Sequence, residues 1–278
     1  MQKWFTERQS AGTRFSYAIK RVIHRNKSKY QKIEVLESKD NGKLLIIDNF
    51  LMLCERFEFT YHEMLTQIPL FSHRKPERVL ILGGGDGGCI RECLKHKSIK
   101  SIDLCDLDKK VILASKKYLP FVASSLISDR VNIHFYDGYN FLKQQSKNMY
   151  DIILVDSTDP NGKAATLFSQ RFYRIASKRL RKNGIFCTIG TTPFYESRLI
   201  RMIDRRLRSV FRYTKHYLAF IPMYQSGCWS FVISSDCKIP HNAINKMQID
   251  HNSFKYYNKN IHRAAFALPS FYKKLLPR

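Results

Sequence analysis

The stretch Arg78-Val79-Leu80-Ile81-Leu82-Gly83-Gly84-Gly85-Asp86-Gly87-Gly88 decides the fold class. Its unbroken apolar run reads as a strand buried on both faces, the mark of a parallel sheet. The glycines satisfy G-x-G-x-x-G, and a helical pattern over residues 89–96 follows, so the motif stands in its strand–loop–helix context. Glycine lets the chain turn tightly there and lets a ligand come close to the backbone. Dinucleotides and adenosylmethionine-type ligands both use such a loop.

Working toward the C-terminus, the pattern keeps alternating. Strands are predicted over 101–107, 131–136, 151–155, 184–189, 217–221 and 229–234, and helices over 109–119, 139–145, 168–180 and 196–211. Alternating strands and helices mean a parallel sheet covered on both faces. Asp106 ends the second strand, where a carboxylate can accept both hydroxyls of a ribose. Asp137-Gly138 closes the third, where an adenine amino group could be held. The fourth ends in Asp156-Ser157-Thr158-Asp159-Pro160. Two carboxylates three apart at the sheet's C-terminal edge converge on the ligand crevice of such folds. They do not suit a pyrophosphate. They suit a cationic substrate, and removal of a proton from an ammonium group.

Toward the N-terminus the pattern changes. Residues 15–24, 30–38 and 43–48 read as strands, with Asp40-Asn41-Gly42 as a hairpin turn. From about Glu58 the spacing becomes helical. The chain therefore divides into an N-terminal antiparallel β domain, 1–57, and an α/β catalytic domain, 58–278.

The 278 residues carry 48 Lys and Arg against 23 Asp and Glu, a net charge of +25. Such a surface attracts polyanions, so weak, non-specific polyanion binding is expected. The 44% hydrophobic content excludes a disordered chain. Seven cysteines without metal-ligand spacing read as reduced thiols in a cytoplasmic protein, and no metal site is expected. No apolar run reaches the roughly 18 residues of a membrane span.

Several blocks together carry a resemblance: Lys29-Tyr30-Gln31, Asp48, Glu58-Phe59-Thr60-Tyr61-His62-Glu63-Met64, the glycine loop with Arg91-Glu92, and Asp156 to Pro160. Pro222-Met223-Tyr224, Lys255-Tyr256-Tyr257-Asn258 and the run from His262 to Pro269 complete them. With these, nearly the whole chain resembles the spermidine synthases, or polyamine aminopropyltransferases. The resemblance implies a small N-terminal β domain before a Rossmann-like, seven-stranded methyltransferase-type domain. It implies decarboxylated S-adenosylmethionine as co-substrate, with no further cofactor. Putrescine would be the acceptor, and spermidine and methylthioadenosine the products. On matching positions, Gln31, Gly83, Gly85, Asp86, Asp106, Asp137 and Gly138 would hold the donor, Asp86 taking its aminopropyl ammonium. Asp156 would be the base, ionised by the two cations it faces. Tyr61, His62, Asp159 and Tyr224 would line the acceptor channel, and residues 156–168 would close over the site. A homodimer or homotetramer is implied as well.

Two positions depart from the family pattern. Asp106 stands where Glu is expected. Ile189-Gly190-Thr191 replaces a Gln and an acid two positions on, which predicts looser selection among amines. The competing readings are a methyltransferase acting on RNA and a nonenzymatic nucleic-acid-binding relative, both compatible with the +25 charge.

Overall fold

The computed structural model describes residues 2–158, 162–240 and 253–276. The chain opens with a five-stranded antiparallel sheet in sequential order. Its strands are β1 (Lys3–Arg8), β2 (Arg14–Lys27), β3 (Lys32–Ser38), β4 (Lys43–Ile47) and β5 (Phe50–Cys54). The Asn-Gly turn joins β3 to β4 with Glu37 opposite Lys43. β1 and β5 were not expected. β1 is a half-exposed edge strand with little apolar content, and β5 follows a turn made without glycine. In that turn Asp48 (φ 48°) and Asn49 (φ 69°) both take the left-handed conformation, which Asn and Asp tolerate better than other non-glycine residues.

Helix α1 (Glu58–Ser72) leaves the first sheet and is buried along its length, with only Phe59 partly exposed. A helix covered all round belongs to the interior. Here it lies between α2 (Gly88–Leu94) and the large sheet. Buried Glu63 on α1 accepts the backbone N–H groups of Lys255, Tyr256 and Tyr257 at 2.7–2.9 Å. This ties down the segment before α8 (Lys259–Ala265) and α9 (Ser270–Lys273), two short helices absent from the sequence reading.

The second sheet has seven strands in the order β11-β12-β10-β9-β6-β7-β8. They are β6 (Arg78–Gly83), β7 (Ser101–Cys105), β8 (Val131–His134), β9 (Tyr150–Asp156), β10 (Leu180–Thr191), β11 (Tyr213–Phe220) and β12 (Cys228–Ser235). Between them run α3 (Lys109–Tyr118), α4 (Pro120–Ala123), α5 (Gly138–Gln144), α6 (Gln170–Arg179) and α7 (Ser197–Arg208). All neighbours are parallel except β12, which runs antiparallel to both β10 and β11. The fully parallel expectation fails there because residues 221–227 are too few for a crossover, so the chain can only turn back.

From β6 the strand order proceeds outward to β7 and β8, then returns to β9 on the other side. The switch point therefore lies between β6 and β9, where ligands of such sheets bind. The register puts Gly83 directly beside Asp156.

The two sheets share their packing. Along β4, Leu44 and Ile46 enter the main core, while Leu45 and Ile47 pack with Val111, Ala114, Leu119 and Val122 near α3 and α4. β4 thus has two buried faces, and the N-terminal sheet forms a wall over the switch point. All seven cysteines are unpaired. Among the described residues no helix is long and apolar enough to cross a membrane.

Candidate active site

A cavity of about 1050 Å³, counted out to its mouth, opens over the switch point. Its floor is Gly83, Gly84, Gly85 and Asp86. One wall carries Asp106, Leu107 and Asp108 after β7, another Asp137 and Gly138 after β8, and a third Asp156, Ser157 and Thr158 after β9. The N-terminal sheet and the turn before β3 contribute Gln31, Leu45, Ile47 and Met52, and Tyr61 and Tyr224 also line the cavity. Five of these side chains are aspartates, and among the described residues no Lys, Arg or His lines the cavity.

The glycine loop is shaped by close approaches. Gly83 has φ 82°, and a side chain there would collide with the backbone carbonyl of Asp156. At Gly88 a side chain would run into the His62 ring.

Asp106 accepts N–H from Gly85 at 3.1 Å on one oxygen and from Asp108 at 2.8 Å on the other. Burial pushes its pKa up to about 6, and the charges of Asp108 and Asp86 add to that, against these two backbone donors. Asp108 caps α3 through the N–H of Lys110 and accepts the Ser28 hydroxyl at 2.6 Å. Ser28 in turn accepts the N–H of Gln31, so the β2–β3 turn that presents Gln31 is pinned to the donor side of the cavity. Asp137 caps α5, accepting the N–H of Asn140 at 2.9 Å. Gly138 lies where an added side chain would come within 3.3 Å of Leu167.

Asp156 is held from two sides. The Tyr61 hydroxyl donates to one oxygen at 2.7 Å and the Cys89 thiol to the other at 3.2 Å. Burial raises its pKa, and the Asp86 carboxylate raises it further, while His62, Tyr61 and Cys89 oppose the rise. Burial and this like charge disfavour the charged form, which the two expected cations would favour. Tyr224 packs edge-on to Tyr61, with centroids 5.7 Å apart, and donates its hydroxyl to the Met52 carbonyl.

His62, expected in the channel wall, is absent from the lining. It sits beneath the loop, 1% exposed, facing Glu58 at 2.6 Å and Asp86 at 3.4 Å. Asp159 lies outside the described residues. Of the segment expected to close the site, Ala164, Thr166 and Leu167 line the cavity. Ile189 and Thr191 are buried in the β10–β12 ladder and do not reach it. Thr191 follows a bulge with φ 97°, a strained conformation for a β-branched residue. Leu45, Ile47 and Met52 are lining residues that sequence reasoning missed, because their alternation reads only as core.

Comparison with known proteins agrees with this geometry. The profile of the spermidine synthase tetramerisation domain matches residues 3–55, and that of the spermine/spermidine synthase domain matches residues 58–246. A polyamine aminopropyltransferase from Shouchella clausii is 42% identical over 99% of this chain and 100% of its own. One from Caldicellulosiruptor saccharolyticus is 41% identical over 99% of each. A spermidine synthase solved with the transition-state analogue AdoDATO superposes with a TM-score of 0.93 at 36% identity, covering 98% of this chain and 94% of that one. The Thermotoga maritima spermidine synthase gives 0.91 at 35%, covering 98% and 93%. Profile, sequence and fold coincide over nearly the full length: the chain belongs to the spermine/spermidine synthase family.

Proposed function

We propose that this chain is a polyamine aminopropyltransferase that moves the aminopropyl group of decarboxylated S-adenosylmethionine to putrescine, giving spermidine and methylthioadenosine. What supports this most directly is the cavity lining, among the described residues five aspartates and no basic side chain in a protein of net charge +25. A donor bearing a sulfonium and an ammonium, and a diamine bearing two ammoniums, match that wall. A phosphate-bearing substrate would meet like charge on every side, which argues against an RNA methyltransferase.

In the reaction, the neutral amine nitrogen attacks the propyl carbon bonded to sulfur. The C–N bond forms from the nitrogen lone pair, and the C–S bond returns its pair to sulfur as a neutral thioether. The amine proton passes to Asp156. The leaving group is already activated, so the protein's task is alignment and proton removal. Asp106 would hold the ribose hydroxyls, Asp137 and Gly138 the adenine, and Asp86 the propyl ammonium. Gln31, Gly83 and Gly85 would complete the donor cradle, with Tyr61 and Tyr224 along the acceptor. His62 acts from behind Asp86. Incubation with decarboxylated S-adenosylmethionine and a panel of diamines should release methylthioadenosine. Its absence with every diamine overturns the reading.

Acceptor selection should be modest. With Ile189 and Thr191 turned into the ladder, no amide or carboxylate from that strand meets a distal ammonium. Putrescine should be the best acceptor, with cadaverine within roughly 10²-fold in kcat/KM. Steady-state kinetics showing a preference of several orders of magnitude would contradict this.

The outer surface invites other partners. On α6, Arg171, Arg174 and Lys178 repeat at i, i+3 and i+7. Arg198, Arg201 and Arg205 do the same on the neighbouring α7, and all six are exposed. Two parallel basic stripes fit a polyanion such as nucleic acid, with binding that falls steeply with salt. Exchanging the three α7 arginines for Gln should lower the salt needed to elute the protein from heparin and leave turnover intact. Unchanged elution removes the proposal.

The match to a tetramerisation domain, with Trp4 60% and Phe50 50% exposed on the N-terminal sheet, supports assembly into a homodimer or homotetramer through that sheet. Light scattering should give a mass of two or four chains, and a monomer at micromolar concentration would exclude it. Seven unpaired thiols fit the reducing cytoplasm, where fractionation should find the protein.

A further inference from the structure

Two aspartates that face one another electrostatically share the reacting end of the cavity, yet the chemistry needs them to differ. Asp86 must stay a fixed anion toward the propyl ammonium, and Asp156 must take a proton. Paired carboxylates diverge in this way only when their surroundings treat them unequally.

The inequality is built behind Asp86. The His62 ring is wedged under the glycine loop, where Gly88 has no side chain to displace it. Its Nδ1 lies 2.6 Å from Glu58 Oε2 and its Nε2 lies 3.4 Å from Asp86 Oδ1. An ionised carboxylate only accepts hydrogen bonds, so a ring facing one at each nitrogen carries a proton on both. Glu58 in turn is gripped by two nitrogens of Arg91, at 2.7 and 2.9 Å. The side chains of Glu58 and His62 are 5% and 1% exposed. The groups around His62 are Glu58 and Tyr61 on its own helix, Asp86 in the loop, Cys89 and Arg91 on α2, and Asp156 on β9.

We propose that Glu58, Arg91 and His62 form a buried positioning relay that fixes Asp86 as the anion for the donor's ammonium and leaves Asp156 as the carboxylate that receives the amine proton. This rests on the aminopropyltransferase reading and deepens it. The electrostatics agree. Burial opposes a charged His62, yet Asp86 and Glu58 hold its pKa up to about 10. Burial would raise Glu58, yet His62 and Arg91 bring it to about 2. Asp86 is lowered despite burial, with His62 and the Gly88 N–H as the cause. Asp156 is raised, because burial and the Asp86 charge outweigh the opposing effects of His62, Tyr61 and Cys89.

The test is Glu58→Gln, which keeps the shape and removes the charge that sustains the imidazolium. Losing a buried cation raises the pKa of both neighbouring carboxylates, and at Asp86, where His62 acts more strongly than Glu58, this outweighs removal of the Glu58 charge, so the ionised forms are lost at higher pH. The acid limb of kcat/KM for decarboxylated S-adenosylmethionine should move up by about one pH unit. The rate should fall about tenfold on the acid side of the parent's limb and return to within about threefold of the parent roughly two pH units above it. Methylthioadenosine carries neither cation, so its affinity by calorimetry should change less than twofold. His62→Gln should shift the limb in the same way, which guards against one variant failing to fold. Equal losses below and above the limb, or an unmoved limb in both variants, overturn the relay. Failure of the parent protein to bind methylthioadenosine would instead overturn the donor site itself.

Discussion

Asp156→Asn is expected to lower turnover by about 10²–10⁴, the usual size of general acid–base catalysis. The amide keeps the shape and can still meet the Tyr61 hydroxyl, which lies 2.7 Å from the carboxylate. It cannot accept the amine proton. The unliganded carboxylate is already biased toward holding a proton by burial and by Asp86. Arrival of the sulfonium and the diamine reverses that bias, so the group is ionised when the amine must be deprotonated and receptive as the C–N bond forms. Donor affinity should change little if, as proposed, Asp106 and the glycine loop carry it. Asp159→Asn should act mainly on the Michaelis constant for the amine. Steady-state and single-turnover rates check both. Normal turnover of Asp156→Asn at saturating substrates would move the base assignment to Asp159 or Tyr61.

Asp106→Ala should weaken methylthioadenosine binding by roughly 2–3 kcal/mol, the size of charge-assisted hydrogen bonds lost. The native carboxylate should also make binding depend on pH. In the proposed site the ribose hydroxyls would donate to the ionised form, and burial raises the pKa of Asp106 to about 6. Affinity should therefore be complete above that value and fall as pH drops through it. Asp106→Asn should flatten this dependence. Calorimetric titrations between pH 5 and 8 decide the matter, and an unchanged affinity in Asp106→Ala removes the ribose assignment.

The parts of this account legible in the sequence are those whose chemistry is local. The glycine loop needs its residues consecutively, and Asp106, Asp137 and Asp156 each end a strand, so strand prediction alone brings them to one sheet edge. What was hidden depends on distant contacts or on the absence of the usual signals. The Asp48-Asn49 turn reverses the chain without glycine and conceals β5. The helices after residue 258 hang on Glu63, nearly two hundred positions away. His62 resembles a channel residue in sequence, yet Gly88 makes room for it behind the floor. Ile189 and Thr191 sit at the end of the right strand, but the bulge before Thr191 leaves both in the ladder.

A cavity lined, among the described residues, by five aspartates and no basic group should select a donor by its positive charge. Calorimetric titration of the protein with decarboxylated and ordinary S-adenosylmethionine, side by side, tests that claim most directly. The two ligands differ by one carboxylate at the end of the chain that Asp86 and Asp156 face. Like-charge juxtaposition costs several kcal/mol, so the decarboxylated form should bind roughly 10²-fold tighter or more. Equal affinities for the two would contradict the account.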